Sequence, residues 1–497
     1  MVPDWPPLAW LARCDKSSSI IDLFHGSRVE VTSDWFCEAA WAGDYQLGDF
    51  DQTDIVAGSG GRLRDGKATF VSSGSTVDRL NSIELGDGAR VSNSLSCLLA
   101  FVNADIDPSY PRYFRHIQTL VSGLNKYNRF LATSAGEVQL TYFDNLIWDG
   151  AAITVRAKPG VRRDFSTFSR YHEFLEGSMR LLSKNITASE RRYKYELLPT
   201  CSAGYDSATV TTLARQAGCR QVLCFERGGG EEPDSGKPLA LALEMEPVVV
   251  EKHAWASMSM PEVLFIAADA DGGDVYFKSA EPVLGGKILL TGFHGDKMWG
   301  KQTKDLSEHI VRGDISGLSL TEYRLLTGFI QCSAAFWGVK QIRDINALSN
   351  SDEMKPWDIP GDYSRPVCRR IVEEAGVPRE LFGIKKRASW VRFNRSRDFL
   401  TAESMEDYLE WLGAARKAWI RHGRIPPILS PKVDQLELSI RQMIGRAVRD
   451  RHGLSEQVLR YTGLLRIGTM LFHSPPHLRK YTFPWAIGQA RKNYPRP

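Results

Sequence analysis

A chain of 497 residues with 43% apolar and 25% charged residues has the balance of a folded globular protein and room for two or three domains. No apolar run approaches the roughly 18 residues of a membrane-spanning helix, and Met1-Val2-Pro3-Asp4-Trp5 lacks the basic-then-apolar start of a secretory signal. The eight cysteines (14, 37, 97, 201, 219, 224, 332, 368) include no CxxC pair, which counts against zinc and disulfide frameworks and makes a cytoplasmic location the expectation.

The first 160 residues are rich in short apolar runs separated by turn residues. Asp54–Ala57 precedes Gly58-Ser59-Gly60-Gly61, Ala68–Val71 precedes Ser72-Ser73-Gly74, and Glu137–Phe143 and Ala152–Arg156 follow. This texture predicts antiparallel sheet, with a more helical stretch from Ile117 to Leu131. From about residue 161 the pattern changes. Phe168, Tyr171, Phe174, Leu175, Met179 and Leu182 share a helix face. Strand-like and helix-like segments then alternate: Glu196–Leu198, Ser207–Gln216, Gln221–Phe225, Lys237–Met245, Pro247–Glu251 and Lys287–Thr291. Such alternation predicts a parallel sheet covered by helices. Past residue 305 nearly everything reads as helix, including faces built on Tyr408, Trp411, Leu412, Ala415 and Trp419 and on Val433, Leu436, Ile440, Met443, Ile444 and Ala447, with Pro426-Pro427 between them. Residues 411–497 carry 16 lysines and arginines against four acids, an excess of +12 that leaves −8 for residues 1–410. A basic end of this kind either contacts phosphate or forms a solvated helical surface.

Two segments carry the candidate chemistry. In Leu197–Ala208 a short strand runs into Ser202-Ala203-Gly204-Tyr205-Asp206-Ser207 and a helix begins at once. Small residues and hydroxyls at a helix N-terminus suit an oxyanion. Asp206 would repel bare phosphate and is explained if a divalent cation intervenes. The other explanation is a turn in which Ser and Asp cap the helix without a ligand. The loop has no GxxxxGK[ST] pattern and is not a Walker site. About 90 residues later, Thr291-Gly292-Phe293-His294-Gly295-Asp296-Lys297-Met298-Trp299-Gly300 again follows an apolar run and holds one carboxylate. In a parallel sheet both loops would lie at the C-terminal strand edge, where ligands bind.

At this point the chain resembles the asparagine synthetase-like ATP-pyrophosphatase (PP-loop) superfamily. Ser202-x-Gly204-x-Asp206-Ser207 is similar to its pyrophosphate loop SGGxDS, and Leu290–Gly300 is similar to LSGEGSDExFGGY. Tyr323–Val339, ending Ala335-Phe336-Trp337-Gly338-Val339, is similar to the helix before GVEARVPFLD. Arg365–Arg387, with Val377-Pro378-Arg379-Glu380-Leu381 and Lys385-Lys386-Arg387, is similar to a later segment of the family. The four pieces, spread over roughly residues 165–395, follow the family's order. The resemblance implies ATP and Mg²⁺ as ligands. Ser202, Ala203, Gly204, Asp206, Ser207, Leu223, Gly292 and Gly295 would bind ATP or its pyrophosphate, and Asp206 and Asp296 would ligate the metal. Lys386 would offset phosphate charge during adenylation of a carboxylate and attack by an amine.

Departures accompany the likeness. Ala203 replaces the second glycine of the loop. Phe293 stands where relatives carry Glu or Tyr for amine activation, so the neighbouring His294 becomes the candidate base. Lys340 replaces the acid of GVEAR, and Val2 replaces the terminal cysteine of glutamine-hydrolysing members. Ala89–Leu95 resembles the glutaminase strand and helix faintly. The resulting expectation is an α/β protein of three parts. Residues 1–160 would form a glutaminase-like (Ntn-type) sandwich without glutaminase activity, as in β-lactam synthetases and lasso-peptide cyclases, with Cys14 and Cys37 structural. Residues 161–400 would form the ATP-pyrophosphatase domain, with an adenine-nucleotide α-hydrolase-like parallel sheet, and residues 401–497 a basic helical extension. The expected activity is AMP- and pyrophosphate-forming amide ligation of a small-molecule or peptide carboxylate, with a partner protein or a second copy as possible company. Adenylation of a nucleobase or RNA carbonyl, and a non-catalytic ATP-binding relative, are the alternatives.

Overall fold

The alternating, turn-punctuated sequence before residue 160 folds into two six-stranded antiparallel sheets. The computed structural model describes all residues except 17, 19, 227–234, 362, 384–390, 392–397, 425 and 451–475, and omits the side chains of 444–450. Strands β1 (Trp10–Asp15), β2 (Ile21–His25), β3 (Glu30–Val31), β4 (Trp35–Trp41), β5 (Val56–Arg64) and β6 (Lys67–Val71) are followed by β7 (Arg79–Leu85), β8 (Gly88–Ser92), β9 (Phe130–Thr133), β10 (Gly136–Tyr142), β11 (Asn145–Trp148) and β12 (Ile153–Arg156). One sheet has the order β2-β1-β8-β7-β10-β9 and the other β12-β11-β6-β5-β4-β3. Their inner faces pack through Trp10, Val91, Phe36, Phe70, Leu146 and Trp148. The Trp10 ring meets Phe36 edge-on at 5.0 Å, and its buried indole N–H donates to Ser59 Oγ at 3.0 Å.

Two local expectations change here. The glycines 58, 60 and 61 lie inside β5 rather than in a turn. A Cβ on Gly58 would fall 2.0 Å from Glu38 O, and one on Gly60 2.3 Å from Phe36 O. The glycines therefore serve close approach to β4. The stretch Ile117–Leu131 is helical only at its start, in Tyr113–Gln118 and the 3-10 turn Thr119–Ser122, and ends in β9.

The second half holds a five-stranded parallel sheet. Its strands are β13 (Glu196–Cys201), β14 (Gln221–Phe225), β15 (Glu246–Val250), β16 (Lys287–Thr291) and β17 (Ile330–Ser333), in the order β15-β14-β13-β16-β17. The amphipathic helix Phe168–Ile186 starts at Thr167, whose side chain accepts from Arg170 N. It buries Phe168, Tyr171, Leu175, Met179 and Leu182 as the spacing requires. Strand β17 falls within the stretch read as continuous helix from Tyr323. All four of its residues are buried, so no polar alternation marked it.

Chain order in this sheet reverses at β13: β14 and β15 lie on one side, β16 and β17 on the other. The crevice between the C-terminal ends of β13 and β16 is thus a topological switch point, where open α/β sheets bind ligands.

The two halves meet through buried charge. Arg324, in the helix Thr321–Thr327, donates from Nη1 to Glu38 Oε2 at 2.8 Å and from Nε to Asp78 Oδ1 at 2.9 Å, and all three side chains are almost fully enclosed. Glu322 accepts from Ser94 Oγ at 2.8 Å beside it. C-terminal helices Ala402–Arg421, Pro431–Asp450 and Thr482–Ala490 follow, the last packed against the helix Val263–Asp269. No helix among the described residues is long and apolar enough to cross a membrane.

Candidate functional site

Strand β13 ends at Cys201, and the helix Tyr205–Gln216 begins four residues later with Gly204 as its N-cap. Gly204 offers no side-chain cap, so the loop satisfies itself through its serines. Ser202 and Ser207 hydroxyls lie 2.7 Å apart, Ser207 Oγ accepts from Ser202 N at 3.1 Å, and Ser202 Oγ accepts from Gly204 N at 3.2 Å. Two hydroxyls are thereby held at the positive end of a three-turn helix.

The second loop lies directly against the first. A Cβ on Gly292 would sit 2.7 Å from the carbonyl carbon of Asp206 and 2.8 Å from Ser207 N, and one on Gly295 would sit 2.5 Å from Asp206 Cγ. Only glycine permits this contact, which sets Asp206 and Asp296 at the same crevice. Trp299 fixes the end of the loop: its buried indole N–H donates to Tyr171 Oη at 2.9 Å. Ser333 Oγ, at the end of β17, donates to Phe293 O at 2.7 Å.

A cavity of about 210 Å³ opens at this junction. Ser202, Gly204, Asp206, Ser207, Gly292, His294 and Asp296, all expected site residues, line it. Ala203 and Gly295 flank it instead: Ala203 O accepts from Gly383 N at 2.8 Å, and Gly295 packs on Asp206. Leu223 does not line it, being fully buried in β14, level with Thr200. The residue of that strand that reaches the cavity is Phe225, at its end. Lys386 lies outside the described residues.

His294 is held in the left-handed backbone region at φ 73°, unusual for a residue with a side chain. Its ring stacks on Phe336 at 4.5 Å. Burial, with the nearby Arg312 charge, pushes its pKa down to about 3, so the imidazole is neutral and a weak base. Nε2 is buried without a hydrogen-bond partner among the described residues.

Several lining residues were not expected. Arg365, at the N-cap of the helix Pro366–Glu374, forms an ion pair with Asp206 through Nη1. Asp274 accepts at Oδ2 from Gly317 N at 2.9 Å and Ser319 Oγ at 2.7 Å. Burial pushes its pKa up to about 6 against those hydrogen bonds. Tyr276, Phe277, Asp314 and Tyr363 complete the wall. The run Asp269-Ala270-Asp271-Gly272-Gly273-Asp274, three carboxylates in six residues before a parallel strand, was the available signal for Asp274. Nothing local marks Arg365, whose partner is 159 residues earlier.

Fold and site together define a mixed α/β protein with a polar cavity at the switch point of a parallel sheet. No family model matches the chain, and no curated protein matches it.

Proposed function

We propose that this chain is an ATP-dependent amide ligase of the asparagine synthetase-like type, releasing AMP and pyrophosphate, with residues 161–400 as its ATP-pyrophosphatase domain. The observation that carries the reading is the packing of Gly292 and Gly295 on Asp206, which brings two aspartate-bearing loops from adjacent parallel strands to one cavity. A serine-rich loop at a helix N-terminus beside two hard oxygen ligands is the donor set that a magnesium–nucleotide complex uses. Among the described residues no group of three His, Cys, Asp or Glu gathers to hold a metal. A Mg²⁺ on Asp206 and Asp296 would complete its shell with phosphate oxygens and water, and when bound it supplies charge neutralisation on the polyphosphate.

In the proposed reaction a substrate carboxylate attacks the α-phosphorus of ATP, the bond to the β-phosphate oxygen breaks, and an amine then displaces AMP from the acyl carbon. Ser202, Ser207 and the first N–H groups of the helix Tyr205–Gln216 would donate to the departing pyrophosphate. Arg365 holds Asp206 in position before nucleotide arrives. Lys386 would add positive charge at the phosphate. Phe293 can take no proton and His294 is a weak base, so the chain's own candidates for deprotonating the amine are poor. The reading therefore favours an amine that reaches the cavity neutral or is relieved of its proton by solvent.

The two-sheet sandwich of residues 1–160 suits a glutaminase-like domain without the reaction, since Cys14 and Cys37 are buried thiols whose pKa burial pushes up to about 12. The test is pyrophosphate release from ATP across a panel of acids and amines, with the product identified by mass. Asp206→Asn should abolish release, and a variant as active as the parent would refute the assignment.

A further inference from the structure

The proposed nucleotide chemistry uses only part of the cavity. Asp274, Tyr276, Phe277, Asp314 and Ser316 line part of the rest, and the two carboxylates among them repel phosphate. Asp274 is 2% exposed, yet its carboxylate makes no ion pair with any described lysine or arginine. It is held instead by three donors of one loop: Gly317 N at 2.9 Å, Ser319 N at 3.3 Å and Ser319 Oγ at 2.7 Å. The same loop fixes Asp314, exposed at the rim, through Ser316 N to Oδ1 at 3.0 Å. The buried guanidinium of Arg312 acts on both carboxylates through charge but directs hydrogen bonds to neutral oxygens, Nε donating to Asp314 O at 3.1 Å and Nη1 to Thr76 O at 3.1 Å.

A second, separate feature points to a ligand. His294 lines the same cavity, is 7% exposed, and leaves Nε2 without a hydrogen-bond partner among the described residues. A buried polar atom of this kind costs stability unless something pairs with it.

Charge balance gives the class of that ligand. Four carboxylates (Asp206, Asp274, Asp296, Asp314) line the cavity with one described guanidinium, Arg365, and the buried Arg312 offsets only part of the remaining charge. A magnesium–nucleotide complex would engage Asp206 and Asp296 and leave the other two facing the incoming substrate. An organic cation with N–H donors satisfies both carboxylates.

We propose that Asp274 and Asp314 bind an ammonium or guanidinium group of the ligase's second substrate, separate from its reacting amine, with His294 Nε2 as a third polar contact. The proposal deepens the amide-ligase reading and rests on it for the word substrate, while the cation site itself is testable without nucleotide.

The experiment is calorimetric titration of the full chain, with and without ATP and Mg²⁺, using agmatine, cadaverine and methylammonium as probes and 1,5-pentanediol as a neutral control. At least one cationic probe should bind saturably and the diol should not. Asp314→Asn, a change at an exposed residue, should weaken that binding by about tenfold or more, while circular dichroism confirms an unaltered fold. Asp274→Asn should act in the same direction. If no cationic probe binds, or if Asp314→Asn binds it as the parent does, the proposal is overturned even where Mg–ATP binding is intact. If Mg–ATP fails to bind while probe binding depends on Asp314, the ligase reading falls and the cation site stands.

Discussion

Replacing Gly292 by alanine tests the contact on which the site depends. The added Cβ would meet backbone, not a movable side-chain tip: Asp206 C at 2.7 Å and Ser207 N at 2.8 Å. Ordinary contact begins near 3.4 Å, so the two loops must separate by more than half an ångström. Overpacking of this order costs about 1–3 kcal/mol, and each kcal/mol lowers the melting temperature of a unit of 150–250 residues by about 2–4 °C. The displacement falls on the first turn of the helix that carries Ser207 and Asp206, and misplacement of about 1 Å can cost ~10²-fold in rate. Gly292→Ala should therefore melt earlier and lose most of its Mg–ATP affinity and pyrophosphate release. The matched control is Gly177→Ala, inside the helix Phe168–Ile186 with nothing within 4 Å of the new carbon. That change should leave nucleotide binding alone and stabilise by about 0.5–1 kcal/mol. Scanning calorimetry and nucleotide titration read both variants. A Gly292→Ala protein that melts and binds like the parent would refute the inferred abutment of the loops.

Arg324→Met should destabilise by about 3–5 kcal/mol, because Glu38 and Asp78 are left buried without their cation; denaturant unfolding followed by tryptophan fluorescence measures it, and a change below 1 kcal/mol would contradict the geometry. Burial pushes the Asp269 pKa up to about 7 despite hydrogen bonds from Gly272 N and Asp271 N. The folded chain then holds a proton that the unfolded chain releases near pH 4, so this group's contribution is complete below pH 4 and is lost as pH rises towards 7. Asp269→Asn keeps the acceptor oxygen and should flatten the fall in stability between pH 4 and 7. An unaltered pH profile would show that Asp269 does not titrate there.

The architecture was legible wherever physics acts locally. Lys287–Thr291 and Gln221–Phe225 stand out as apolar runs between breakers, and their observed bounds match. The loops after β13 and β16 were visible because small residues and one carboxylate follow a short strand. What escaped depends on distant partners. β17 has four buried residues and follows a helix, so neither period marks it. The glycines of β5 look like a turn until β4 lies against them. Leu223 was placed in the right strand but not at the residue that reaches the cavity. That position depends on the stagger of parallel strand ends, in which Cys201 pairs with Cys224 and Phe225 projects beyond. Arg365 is one of many arginines until folding brings it to Asp206.

The enclosed guanidinium of Arg324 also bears on any attempt to trim the chain. A fragment beginning after residue 160 would retain Arg324 and Glu322 but none of Glu38, Asp78 and Ser94, and would expose to water a seam that is enclosed in the whole chain. The sandwich is thus a keel rather than an ornament, and single-piece expression is the sensible route to an assayable protein.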